Sequence, residues 1–207
     1  MVKPKVPREP HSPLVRNEGD VIEYAGPVWR IHRTRGTHVL PWNSFREFGP
    51  VVSSRYDPHP PERGIHPGFG IMYTACSVRT SVAEVFQTTR RVNTMTGAPY
   101  LTSWMPVRPL KLLDLTQSWA VKNNAAYALT AAPRPTCRAW SHAIHQQWED
   151  LDGLWAPSTM TGESMPVLYD RAAAAIPSAP DFSRPLSHPL VWSLIERAAE
   201  TVGYGAH

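Results

Sequence analysis

Residues 69–86, FGIMYTACSVRTSVAEVF, decide the fold, because the hydrophobic period changes in the middle of the stretch. From Phe69 to Ala75 aromatic and branched residues alternate with smaller ones, which predicts a strand over 69–75. From Ser77 onward the apolar residues Val78, Val82, Val85 and Phe86 recur at helical spacing, which predicts a helix over 77–92. Ser77, Ser81, Glu84 and Thr88 share another face of that helix, with one charge among them. A solvated face usually mixes Lys, Glu and Arg, so a hydroxyl-rich strip with a lone carboxylate suits the lining of a site. The junction therefore brings Tyr73, from the strand, and Glu84, from the helix, into one neighbourhood.

Working outward, 28–32 (VWRIH) and 51–57 (VVSSRYD) read as strands, the first carrying Trp29 and Arg30, the second Arg55 and Tyr56. A proline-rich loop follows over 58–68. Strands are also predicted over 100–107 and 110–115, and over 154–157 and 166–169 on either side of the turn TMTGES. Thr136 is placed to cap a helix whose Trp140, Ala143, Ile144, Trp148 and Leu151 form one apolar stripe. A last amphipathic helix uses Leu190, Val191, Leu194, Ile195, Ala198 and Val202. Strands interleaved irregularly with helices predict an α+β fold rather than a βαβ repeat. The first 20 residues, rich in Pro, Lys, Arg and Glu without periodicity, read as an extended or poorly ordered arm ahead of a single domain over 21–207.

The 207 residues include 22 prolines, so many connections should be stiff and irregular. Charge is unevenly divided. Residues 1–111 hold 15 Lys and Arg against 8 Asp and Glu, whereas 112–207 hold 6 against 9. The basic half contains the strand–helix junction, and it implies a polyanion or a small phosphorylated ligand as partner. Two isolated cysteines, Cys76 and Cys137, indicate neither a disulfide framework nor a zinc site, and fit a reduced cytoplasmic protein. No stretch approaches a membrane span or the apolar run of a signal peptide. Gly68-Phe69-Gly70 lacks the third glycine of a dinucleotide fingerprint, and no GxxxxGK[ST] loop or GxSxG elbow occurs. The nine histidines form no HExxH, and no metal is expected.

An arginine fork can hold pyrophosphate or ribose oxygens better than lysine can, which gives Arg30 and Arg55 a use beyond surface charge. The flat rings of Tyr73 and Trp29 can stack on a base, or simply fill the core. Glu84 can anchor a ribose hydroxyl and offset positive charge at an anomeric carbon, as carboxylates do where glycosidic bonds break. Ser158 on its own is an ordinary turn residue after proline.

Together, Trp29-Arg30, Arg55-Tyr56-Asp57, YTA at 73–75, AEV at 83–85 and DGLWAPS at 152–158 resemble the RES-domain family in order and spacing over about residues 27–170. The resemblance implies a compact α+β fold similar to ADP-ribosyltransferases, with a mixed or antiparallel β core flanked by helices and no Rossmann domain. It implies a cytoplasmic enzyme that consumes NAD⁺, by phosphorolysis with inorganic phosphate, by hydrolysis, or by ADP-ribosyl transfer to a protein. It also implies a toxin neutralised by an antitoxin with an Xre-like helical domain. By the same resemblance Glu84, Arg55 and Tyr73 would be catalytic. Arg30 and Tyr56 would bind substrate, and Ser158 would close the pocket. The sequence departs from the family pattern at Asp57, where an amide is common, in the long 58–68 loop, and in the extra first 20 residues. Neither a membrane nor a nucleic acid is an expected partner on this reading, and a homo-oligomer is left open. The alternative from another class is a non-catalytic module that binds nucleic acid through the basic half.

Overall fold

The computed structural model describes residues 5–11 and 13–206. In chain order these form β1 (Val21–Tyr24), β2 (Val28–Arg33), β3 (Phe48–Gly49), β4 (Gly64–Ile65), β5 (Ile71–Tyr73), α1 (Val78–Val85), β6 (Arg91–Val92), β7 (Pro99–Trp104), β8 (Leu110–Asp114), α2 (Trp119–Lys122), α3 (Arg134–Gln147), β9 (Gly153–Pro157), β10 (Ser164–Tyr169), β11 (Phe182–Pro185), α4 (Pro189–Thr201) and β12 (Gly205–Ala206). The fold is α+β.

Five strands make one sheet in the order β1-β8-β9-β10-β5, antiparallel except for the parallel β8–β9 pair. β11, β7 and β2 make a second, antiparallel sheet. Alternation along the strands sorts their side chains between the two faces. Met72, Leu110, Leu112 and Leu168 of the first sheet meet Val28 and Trp104 of the second, forming the core between the sheets. On the outer face of the first sheet, Leu113, Leu154, Val167 and Tyr169 pack with Trp140 and Ile144 of α3. On the second sheet, Ile31 and Leu101 pack with Val82 of α1 and Val191 and Ile195 of α4. Burying each such aliphatic side chain contributes about 1.5–3 kcal/mol. β9 must start on glycine: a Cβ at Gly153 would stand 2.1 Å from the Val167 carbonyl oxygen.

The two sheets are joined edge to edge just beyond Tyr73, where Trp29 and Ala75 exchange backbone hydrogen bonds of 2.8 Å in both directions. This join brings Trp29 and Arg30 of β2 beside the strand–helix junction.

Several expectations need correction. The segment 51–57 is not a strand. Its polar backbone groups are met by side chains instead of a ladder: the Val51 N–H donates to Asp57 Oδ2, and Arg138 Nη1 donates to the carbonyls of Val51, Val52 and Ser54. The helix expected over 77–92 stops at Val85. Its continuation is turned out through Arg90, at φ +49°, into β6, which pairs in parallel with β12 from the far end of the chain. Val85 is accordingly 49% exposed and does not belong to the apolar stripe. α3 begins at Arg134 after Pro133, so Thr136 lies in its first turn and is not its cap.

The described part of the arm is tied down. Trp119 and Trp140, both fully buried, donate their indole N–H groups to the carbonyls of Val15 and Pro7. Leu14 exchanges hydrogen bonds with the Gln147 amide, and Arg16 pairs with Asp150 at 2.7 Å. An unpartnered buried N–H would cost about 1–3 kcal/mol, so the tryptophans hold the arm in place. Residues 1–4 and Ser12 of the expected arm lie outside the described residues.

Candidate active site

The strand–helix junction opens into a cleft of about 340 Å³ bounded by β2, the 53–56 loop, β5, α1 and the start of α3. Volumes of this order suit a small organic ligand. Arg30, Arg55, Tyr56, Tyr73 and Glu84 all line it, although they come from four separate segments. Ser158 does not. It is 3% exposed and sits behind Glu84.

Ser77 starts α1 by accepting the Thr80 N–H at 3.1 Å, which sets the phase that turns Ser81 and Glu84 towards the cleft. The Glu84 carboxylate is then held from behind. The Ser158 hydroxyl donates to Glu84 Oε1 at 2.6 Å, while Ser158 Oγ itself accepts the N–H groups of Met160 and Thr161 at 3.1 Å each. With its lone pairs engaged by two amides, the hydroxyl proton is directed at the carboxylate. Gln87 Nε2 approaches Oε2 at 3.3 Å. Glu84 thus stays half-buried with a fixed orientation.

Arg30 Nη1 donates to the Trp42 carbonyl at 2.7 Å, and burial pushes the guanidinium down to about 10. Arg55 Nη1 donates to the Ala132 carbonyl at 2.6 Å. Among the described residues, Arg30, Arg55 and Arg134 have no carboxylate partner, although all three line the cleft. Each guanidinium has five N–H donors, and carbonyls use only a few. The cleft therefore carries three cationic forks against the one carboxylate of Glu84, which fits an anionic ligand with room for charge-assisted bonds.

Tyr73 presents its ring to the cleft and turns its hydroxyl away. That hydroxyl accepts the Tyr56 N–H at 2.8 Å and donates to Asp57 Oδ1 at 3.1 Å. Burial, and next the Asp57 charge, push it well above the ordinary phenol range, so it stays protonated. Asp57 is fully buried and also accepts Arg46 Nη2 at 2.6 Å. Asp57 thus anchors the loop carrying Arg55 to the strand carrying Tyr73. Tyr56 is 3% exposed; its carbonyl accepts the Ser141 hydroxyl at 2.7 Å.

Sequence reasoning did not single out Arg134, Arg46 or Glu163. Arg134 lies in the unremarkable segment APRPTC, and nothing in the spacing links it to residues 53–56. Among the described residues, no three His, Cys, Asp or Glu side chains converge as metal ligands would.

These features define an α+β domain with a basic cleft built around one oriented carboxylate, in a sequence without a glycine-rich nucleotide loop. The chain belongs to the RES domain family, whose pattern matches residues 27–189. Among solved structures, a chain from the "M.tuberculosis MbcT-MbcA toxin-antitoxin complex" superimposes with a TM-score of 0.60 at 19% identity, covering 84% of this chain and 91% of that one. At that identity the likeness shows a shared fold. A comparison with curated proteins found no match.

Proposed function

We propose that the cleft binds NAD⁺ and breaks the bond between nicotinamide and ribose. The observation that carries this reading is the arrangement of Arg30, Arg55 and Arg134, none of them ion-paired among the described residues, around a Glu84 carboxylate oriented by Ser158. The guanidiniums would take the pyrophosphate, and the rings of Tyr73 and Trp29 offer flat surfaces for the nicotinamide nucleoside. Glu84 would hold the ribose and stabilise the cation that develops at its anomeric carbon.

As the carbon–nitrogen bond breaks, its electron pair leaves with the nicotinamide nitrogen, which becomes neutral. The ribosyl cation is then captured by water or by a phosphate oxygen, and a water nucleophile gives up its proton after attack. Preorganised electrostatics is the main lever in this scheme, and losing one such group typically costs on the order of 10²-fold or more. Family membership and the likeness to a chain of a toxin–antitoxin complex support a toxin role, with a cognate antitoxin, Xre-like in type, as partner. Such a toxin would draw on the cytoplasmic NAD⁺ pool.

The test is incubation of the purified protein with NAD⁺, with and without inorganic phosphate, followed by product analysis. Nicotinamide release supports the reading. Free ADP-ribose marks hydrolysis, and ADP-ribose phosphorylated at the anomeric carbon marks phosphorolysis. Intact NAD⁺ together with tight, salt-sensitive RNA binding would favour a nucleic-acid module instead.

A further inference from the structure

The Ser158–Glu84 contact joins two elements that need not be in register: the 158–163 turn between β9 and β10, and the helix α1. What fixes one against the other is Glu163. Its Oε2 accepts the Ser77 hydroxyl at 2.6 Å and the Thr80 hydroxyl, and its Oε1 pairs with Arg79. All three partners lie at the start of α1, the helix that carries Glu84 one to two turns further on.

The same residue also closes the turn. The Ser158 N–H donates to the Glu163 carbonyl at 2.8 Å, and the Glu163 N–H donates to Thr161 Oγ1 at 3.3 Å. Thr161 in turn meets Thr80, hydroxyl to hydroxyl, at 2.8 Å. One side chain and its own backbone thus tie the hairpin that holds Ser158 to the helix that holds Glu84. Burial opposes ionisation of Glu163, but the bonds from Ser77, Thr80 and Arg79 outweigh it and hold its carboxyl below the usual range, so the clasp is anionic at neutral pH.

We propose that Glu163 is a positioning residue for the cleft, a charged clasp that sets the distance between Ser158 and Glu84 without touching substrate. The proposal rests on the reading of the cleft as an NAD⁺-cleaving site, and its geometry can be tested apart from that reading. Among the described residues Glu163 does not line the cleft, and its side chain is 34% exposed, so the isosteric Glu163→Gln should fold.

Two measurements test it. The first needs no activity: amide hydrogen exchange by NMR at Met160 and Thr161, the donors to Ser158 Oγ. Glu163→Gln should speed exchange at both by about tenfold or more while amides of α3 keep the parent's protection. Unchanged exchange at Met160 and Thr161 would overturn the clasp even if NAD⁺ were never cleaved. The second is a double-mutant cycle on nicotinamide release. Glu163→Gln should lower kcat about tenfold or more with KM nearly unchanged, and should add little in a Ser158→Ala background, because both act through one contact. Losses that multiply would show that Glu163 acts independently of Ser158, and would overturn the proposal. If the parent releases no nicotinamide, it is the functional reading that fails, and the exchange result alone decides the clasp.

Discussion

The Ser158 hydroxyl donates to Glu84 Oε1 across 2.6 Å, linking a hairpin turn to a helix 74 positions away in the chain. Because two backbone N–H groups occupy the Ser158 oxygen, the contact is directional: the serine aims the carboxylate and does not merely neighbour it. Ser158→Ala should therefore lower kcat for nicotinamide release by about tenfold to hundredfold, with a much smaller change in KM, since small misplacements of a catalytic group cost rate more than binding. Steady-state kinetics on the purified variant decides this. A rise in KM with kcat unchanged would place Ser158 in uniform binding instead.

Arg55 is held by the Ala132 carbonyl and offers the rest of its fork to the cleft. Arg55→Lys keeps the charge and loses the planar fork. Affinity for NAD⁺, measured by calorimetry in a Glu84→Gln background to prevent turnover, should fall about tenfold or more, in keeping with about 1.5–3 kcal/mol for a hydrogen bond to a charged group.

Asp57 is fully buried, and its partner Arg46 is 25% exposed. Removing the carboxylate leaves the Tyr73 hydroxyl and the Val51 N–H without their acceptor, and leaves Arg46 with only the Phe48 carbonyl and the Ser54 hydroxyl. Asp57→Ala should lower the unfolding free energy by about 3–5 kcal/mol in urea titrations, the usual cost of breaking a buried pair. Cleavage activity should fall with it, because the same residue anchors the loop that carries Arg55.

Burial, and secondarily the Arg30 guanidinium, hold the His32 ring down to about 4, whereas an unfolded histidine titrates near 6.5. The unfolded chain therefore takes up a proton before the native one does. The stability that neutral His32 contributes is present above about pH 6.5 and is lost as pH falls towards 4. Burial lowers His59 in the same direction. The urea midpoint should drop between pH 6.5 and 4, and His32→Gln should flatten part of that slope.

The strand–helix junction was legible because period is a local property. β5 and α1 form within the predicted spans, and three of the four residues of the predicted polar face, Ser81, Glu84 and Thr88, line the cleft, Thr88 from beyond the helix end; Ser77 instead caps α1 and meets Glu163. What escaped the sequence depends on distant chain. The helix ends early because β12, over a hundred residues later, claims Arg91 and Val92 as a strand. The 51–57 segment has the branched residues of a strand, but Asp57 and Arg138 satisfy its backbone from the side. Arg134 and Glu163 carry no local signature, since their roles arise only when α3 and the β9–β10 turn fold against the junction.

The most direct test of the central claim compares the parent protein with Glu84→Gln for nicotinamide release from NAD⁺ at equal concentration and matched melting temperature. Glutamine keeps the shape and can still meet Ser158, but it brings no negative charge to a developing ribosyl cation. The account predicts steady release by the parent and a loss of about 10²-fold or more in the variant. Release by Glu84→Gln at the parent's rate would contradict it.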